Sequence, residues 1–91
     1  MISGNSFHAA LWVFLHFGLL DAVPKSGSQR RKIMAFINGL RNEPYTRGDF
    51  TDRDVSLRER QIKIIGDYAV TFWFDAPVQI VMVVDIGPAD R

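Results

Sequence analysis

ERQIKII-GD-YAVTFWFD-AP-VQIVMVVDI, Glu59–Ile86, is three apolar-rich runs separated by two short breaks. Val, Ile, Phe, Tyr, Trp and Thr dominate it, and these side chains suit a pleated, half-buried surface. Gly66-Asp67 is a two-residue break with glycine first, the composition of a type II′ hairpin turn. Asp75-Ala76-Pro77 is a second turn signal, with proline where the next strand would begin. The stretch predicts an antiparallel meander with strands near 59–65, 68–75 and 78–86.

Alternation along each run assigns faces. Tyr68, Val70, Phe72 and Phe74 share one side of the middle run, opposite Ala69, Thr71, Trp73 and Asp75. Ile62 and Ile64 oppose Gln61 and Lys63, while Ile80, Met82, Val84 and Ile86 oppose Gln79, Val81, Val83 and Asp85. Grouping the apolar sets gives a dry face for a helical layer and a mixed face carrying Gln61, Lys63, Thr71, Trp73 and Asp85.

Working outward, Ser26 or Ser28 is read as the cap of a helix through Arg41, with Ile33, Phe36, Ile37 and Leu40 in an i, i+3, i+4, i+7 stripe. Pro44 stops it near Asn42. Its other side carries Arg30, Arg31 and Lys32, the ordinary solvated face of a helix. A first helix is expected from Phe7, capped by Ser6, to about Leu20. Because it is apolar nearly all round, part of it is expected to meet a partner through Trp12 and Phe17. The two form an antiparallel αα-hairpin over the dry face. The expected fold class is thus α+β: an N-terminal αα-hairpin on one face of a twisted three-stranded antiparallel sheet, with room for a short fourth strand. Glu43–Leu57 is read as a polar connector, and Arg47-Gly48-Asp49 within it as turn punctuation rather than an adhesion tripeptide.

The 91 residues make one domain, with a formal net charge of +1. That balance excludes a strong overall nucleic-acid field, although Arg47, Arg53, Arg58, Arg60 and Lys63 cluster among acidic neighbours. There is no cysteine, hence no disulfide framework or thiolate metal site, which fits a reducing cytoplasm. Ala9–Leu20 is too short to span a bilayer and lacks a preceding Lys or Arg, so neither a signal nor a membrane anchor is expected. His8 and His16, eight apart, are read as surface or partly buried imidazoles rather than ligands. No phosphate loop, nucleophile elbow or paired-carboxylate motif occurs, and no cofactor is implied.

Leu40-Arg41-Asn42-Glu43-Pro44, Gly48-Asp49, Gln61-Ile62-Lys63-Ile64, Gly66-Asp67-Tyr68-Ala69-Val70-Thr71-Phe72-Trp73 and Val83-Val84-Asp85-Ile86, in that order after a helical hairpin, resemble the RelE/ParE toxin superfamily over about residues 29–91. Met1–Asn5 departs from the family, which opens on a clear strand. The resemblance implies a toxin paired with a cognate antitoxin. One branch cuts messenger RNA on the ribosome and another inhibits DNA gyrase. In the nuclease branch basic groups help a ribose 2′-OH attack the adjacent phosphate, a desolvated lysine serving as base and arginine holding the charged oxygens. Carried over, Lys63 matches a basic strand position. Gln61 and Ala69 stand where the family has basic residues, and Pro88 or Ala89 occupies the position after the last strand. Lys63, Arg60 and Arg91 are then the catalytic candidates, an incomplete nuclease set, and Arg58, Gln61 and Trp73 belong to the target face. Each has a plainer reading: Lys63 as a solvated strand lysine, Trp73 as partner-covered surface. The expectation is a toxin acting on translation by binding ribosome or mRNA. The alternatives are a gyrase inhibitor and an inert relative forming homodimers through the first helix.

Overall fold

The computed structural model describes residue 10 and residues 12–89. Five strands, β1 (Trp12–Leu15), β2 (Phe50–Arg53), β3 (Glu59–Ile65), β4 (Tyr68–Asp75) and β5 (Ile80–Pro88), form one sheet in the order β1-β5-β4-β3-β2. β1 runs parallel to β5 and every other pair is antiparallel, so the sheet is mixed. One α-helix, α1 (Ser28–Gly39), and a short 3-10 helix at Leu19–Ala22 complete the described elements.

The meander stands where the sequence puts it, its last strand displaced by two residues. Gly66 has φ 60 while Asp67 does not take a positive φ, which agrees with a II′ turn. The αα-hairpin does not form. The described part of the expected first helix, 12–20, is instead β1 followed by the 3-10 turn. A short apolar run cannot be told from a buried strand by periodicity alone. What decides is the partner: Val13 and Leu15 face the core beside Val81 and Val83, while Trp12 and Phe14 turn outward. Gly18, at φ 86, then breaks the run. A homodimer through an N-terminal helix loses the element it required. Ser6, Phe7 and His8 lie outside the described residues.

The connector also holds more structure than expected, because 50–53 pairs with 59–62 as the outer edge strand β2. Capping differs as well. Gly27, at φ 95, is the N-cap of α1, and neither Ser26 nor Ser28 supplies a side-chain cap bond. The helix still buries the predicted stripe: Ile33, Ile37 and Leu40 pack with Val70, Phe72, Val81, Val83 and Ile86 in one core. The Phe36 ring meets Phe72 edge-on at 5.5 Å.

Two registers reassign the faces. The two-residue turn pairs Ile65 with Tyr68, so Lys63 stands beside Val70 and Gln61 beside Phe72, on the helix side. Ile62 and Ile64 stand beside Thr71 and Ala69, on the other. A bulge then lets Thr71 face Asp85 while Phe72 faces Val83, with Val84 as the extra residue. Val81, Val83 and Ile86 therefore all point into the core, although 83 and 86 differ in parity. Lys63 and Trp73 consequently belong to opposite sides of the sheet, and the mixed face expected to unite them does not exist.

Candidate functional site

The charged connector and β3 fold back on each other, and the turn between them is built by one carboxylate. Asp54 Oδ1 accepts the N–H groups of Ser56 at 2.8 Å and Arg58 at 3.0 Å, and Oδ2 accepts Arg58 Nη1 at 3.0 Å. The backbone N–H of Arg58, first, then that of Ser56 and the nearby Arg58 and Arg60 charges hold the Asp54 carboxyl below its ordinary value against a smaller desolvation cost. Leu57 closes the turn in the left-handed region at φ 66.

Beyond the turn the same register places acid opposite base. Asp52 stands opposite Arg60 in the β2–β3 ladder and accepts both Nε at 2.9 Å and Nη2 at 2.7 Å. That paired hydrogen bond raises the Arg60 pKa, so the guanidinium is held fully charged. One step past the other end of the ladder, Asp49 Oδ1 lies 3.7 Å from Lys63 Nζ. Asp49, Asp52 and Asp54 thus match Lys63, Arg60 and Arg58 one for one. These pairs are partly exposed, and solvent screening leaves such pairs little net stability, so as ion pairs they act chiefly by neutralising one another.

At the Arg58 end of this row a groove of about 440 Å³ opens. Pro44, Tyr45, Thr46 and Arg47, the chain leaving α1, form one wall. Arg58, Glu59, Gln61, Phe72, Trp73 and Phe74 form the other. Arg58 Cζ sits 4.0 Å from the centre of the Trp73 ring, a close cation–π contact. Tyr45, two-thirds exposed, meets Phe74 edge-on at 5.0 Å. Gln61 Oε1 accepts the Gly48 N–H at 2.8 Å, which ties the wall after α1 to β3. Aromatic faces beside guanidinium groups can hold a planar group next to an anion. A larger hollow of about 630 Å³, lined by Gly66, Asp67, Tyr68, Pro88 and Ala89, lies at the other end of β4 and holds none of the predicted residues.

The structure therefore brings Arg58, Gln61 and Trp73 to one groove and leaves Lys63 and Arg60 out of it. Lys63 keeps 37% side-chain exposure and a carboxylate neighbour, whereas a lysine base is made by burial away from counter-charge. Arg60 is paired with Asp52 through Nε and Nη2. Arg91 lies outside the described residues. Trp12 and Phe17 are exposed, at 66% and 104%, on β1 and the turn after it rather than on one helical face. Sequence reading missed Tyr45 and Arg47, which carry no signal beyond following a helix. It also missed the mirror order of charges, acidic at 49, 52 and 54 and basic at 58, 60 and 63, which a hairpin closing at 55–57 would superpose. Among the described residues no group of three or more His, Asp or Glu could hold a metal ion. No described helix is long and apolar enough to cross a membrane.

No protein-family model matches the sequence, and no curated protein matches it either. A solved structure does: the archaeal RelE–RelB complex from Pyrococcus horikoshii OT3, at a TM-score of 0.67 and 20% identity, covering 87% of this chain and 94% of that one. The chain has the RelE fold, as the ordered residues of the meander and its flanks indicated.

Proposed function

We propose that this chain is the toxin half of a toxin–antitoxin pair and acts on translation by binding RNA at the ribosome. The observation that carries the reading is the groove: Arg58, Gln61 and Trp73, with Tyr45 and Arg47, line it on a RelE fold. Bases stack on exposed aromatic rings and phosphates pair with guanidinium groups, so this lining favours a single-stranded ribonucleotide over a duplex DNA surface. The neighbouring RelE is held by RelB, which supports a cognate antitoxin for this chain too. The reading is of binding rather than cleavage, since Lys63 and Arg60 are each tied to a carboxylate away from the groove.

Inducible expression in a bacterial host, with and without the product of the adjacent gene, tests it. Expected is growth arrest by the chain alone and rescue by co-expression. Undisturbed growth would remove toxicity, and arrest accompanied by DNA breaks with translation intact would move the target to gyrase.

A further inference from the structure

Glu59 is the one carboxylate among the residues lining the groove. A carboxylate there repels phosphate, so it weakens every strand except one that offers it donors. Among the described residues it has neither a hydrogen bond nor an ion pair: Arg53, opposite it in the β2–β3 ladder, donates Nη1 to the Leu57 carbonyl at 3.1 Å instead. Gln61 shares its side of β3, since strand residues alternate, and the two side chains leave the backbone about 7 Å apart. Tyr45 belongs to the same side, for its ring meets Phe74, whose ladder partner Val81 is core. The Gln61 amide has an imposed orientation. The Gly48 N–H can only donate, so it fixes Oε1 towards itself and turns Nε2 away as a donor. Gly48 in turn is held, because it lies against the Ile62 backbone with no room for a Cβ. The Asp49 N–H donates to the Ile62 carbonyl at 2.7 Å, and Asp49 Oδ2 accepts the Ile64 N–H at 2.8 Å. The groove thus presents a charged acceptor pair, a directed amide donor and an exposed aromatic ring.

We propose that the groove selects guanine: the Glu59 carboxylate accepts the N1–H and N2–H groups of an unstacked guanine, Gln61 Nε2 donates to its O6, and the Tyr45 ring stacks on it. Guanine alone places two adjacent N–H donor groups on its Watson–Crick edge, so it alone engages both carboxylate oxygens in charge-assisted bonds. Adenine, cytosine and uracil each offer one. The proposal rests on the RNA-binding reading and names the base that the site prefers; it is read in vitro, apart from toxicity.

The test is the binding of fluorescein-labelled oligouridylates to the full chain, by anisotropy at one fixed salt concentration. Each strand carries one central guanine, adenine or hypoxanthine. The guanine strand is expected to bind about tenfold more tightly than the adenine strand, within the discrimination of one bidentate base contact. Hypoxanthine lacks the N2 amino group, so its strand is expected near the adenine strand. Glu59→Gln should weaken the guanine strand by about the same tenfold and leave the adenine strand bound no less tightly, a split that general damage to the fold would not produce. A charge-matched control, Glu43→Gln, is expected to shift all three strands alike and keep the preference. Free GMP should displace the guanine strand only at concentrations well above that strand's Kd. Equal binding of the three strands by the wild type, or a guanine preference that survives Glu59→Gln, would overturn the proposal while the RNA reading stands. Displacement by GMP at the strand's own Kd would overturn the strand as occupant in favour of the free nucleotide. Absence of binding by every strand would defeat the RNA reading, and the proposal with it.

Discussion

Trp73 shows how a single side chain acquires a role from its neighbours. Its ring is half-buried, and one face is taken by the Arg58 guanidinium at 4.0 Å. Removing either partner should weaken RNA binding. For Trp73→Ala a loss of about 1–3 kcal/mol is expected, roughly 5- to 150-fold in Kd by titration, with Tm little changed because the ring lies outside the hydrophobic core cluster. Leu57 is a residue in the wrong conformation for its type, at φ 66 and 72% exposed. Leu57→Gly should therefore raise stability, by about 1 kcal/mol in urea denaturation, because the left-handed region penalises a Cβ by roughly that amount. Asp54 supplies a pH dependence. Its carboxyl titrates lower in the folded chain than in the unfolded one, so its contribution is fully present above the unfolded value, about 3.9. The contribution is lost as pH falls through the depressed folded value. Between pH 5 and 2.5 the Tm of the wild type should thus fall further than that of Asp54→Asn.

Among the elements, those with short, chemically explicit boundaries were legible and those without were not. Gly66-Asp67 and Asp75-Ala76-Pro77 announced two turns, and the strands between them form at 59–65 and 68–75 as expected. Pro44 likewise marked the region where α1 has ended. Residues 12–15 were misread because Trp-Val-Phe-Leu is apolar in either geometry, and only the vacant edge of β5 makes a strand of it. β2 was missed because four residues with one apolar side chain, Phe50, signal little until Asp52 meets Arg60. The faces went wrong for a different reason. A two-residue turn couples odd positions of β3 to even positions of β4, and grouping by hydrophobicity overrode that geometry. The bulge at Val84 left no mark in the sequence. It predicts an asymmetry between neighbours: Val83→Thr buries a hydroxyl among Phe72 and its core partners and should cost about 1–3 kcal/mol. Val84→Thr, half-exposed, should stay within about 0.5 kcal/mol in the same denaturant titration. An unbulged β5 would reverse the order.

At the scale of the whole molecule, one helix covers the inner half of the sheet and leaves its outer strands to charge chemistry. α1 packs over β4 and β5 and is tied to the far end of β3 by Gln29 Nε2, which donates to the Ile65 carbonyl, while β2, β3 and the turn between them carry the paired charges, Arg58 and Arg60 on one face and Lys63 on the other. The candidate site lies where those two regions meet, between the chain leaving α1 and the ends of β3 and β4. Arg58, Gln61 and Trp73 were legible as members of it through the strand pattern and the family resemblance. Tyr45 and Arg47 were not, because only the folded path of the connector brings them there. The measurement that bears most directly on the account is the rate of amino-acid incorporation into protein after induction in a bacterial host. The wild-type chain should depress incorporation within minutes, before DNA breaks appear, and the R58A/W73A variant, folded and expressed to the same level, should not. Full inhibition by that variant, or unimpaired incorporation during wild-type arrest, would contradict a groove that works by holding RNA.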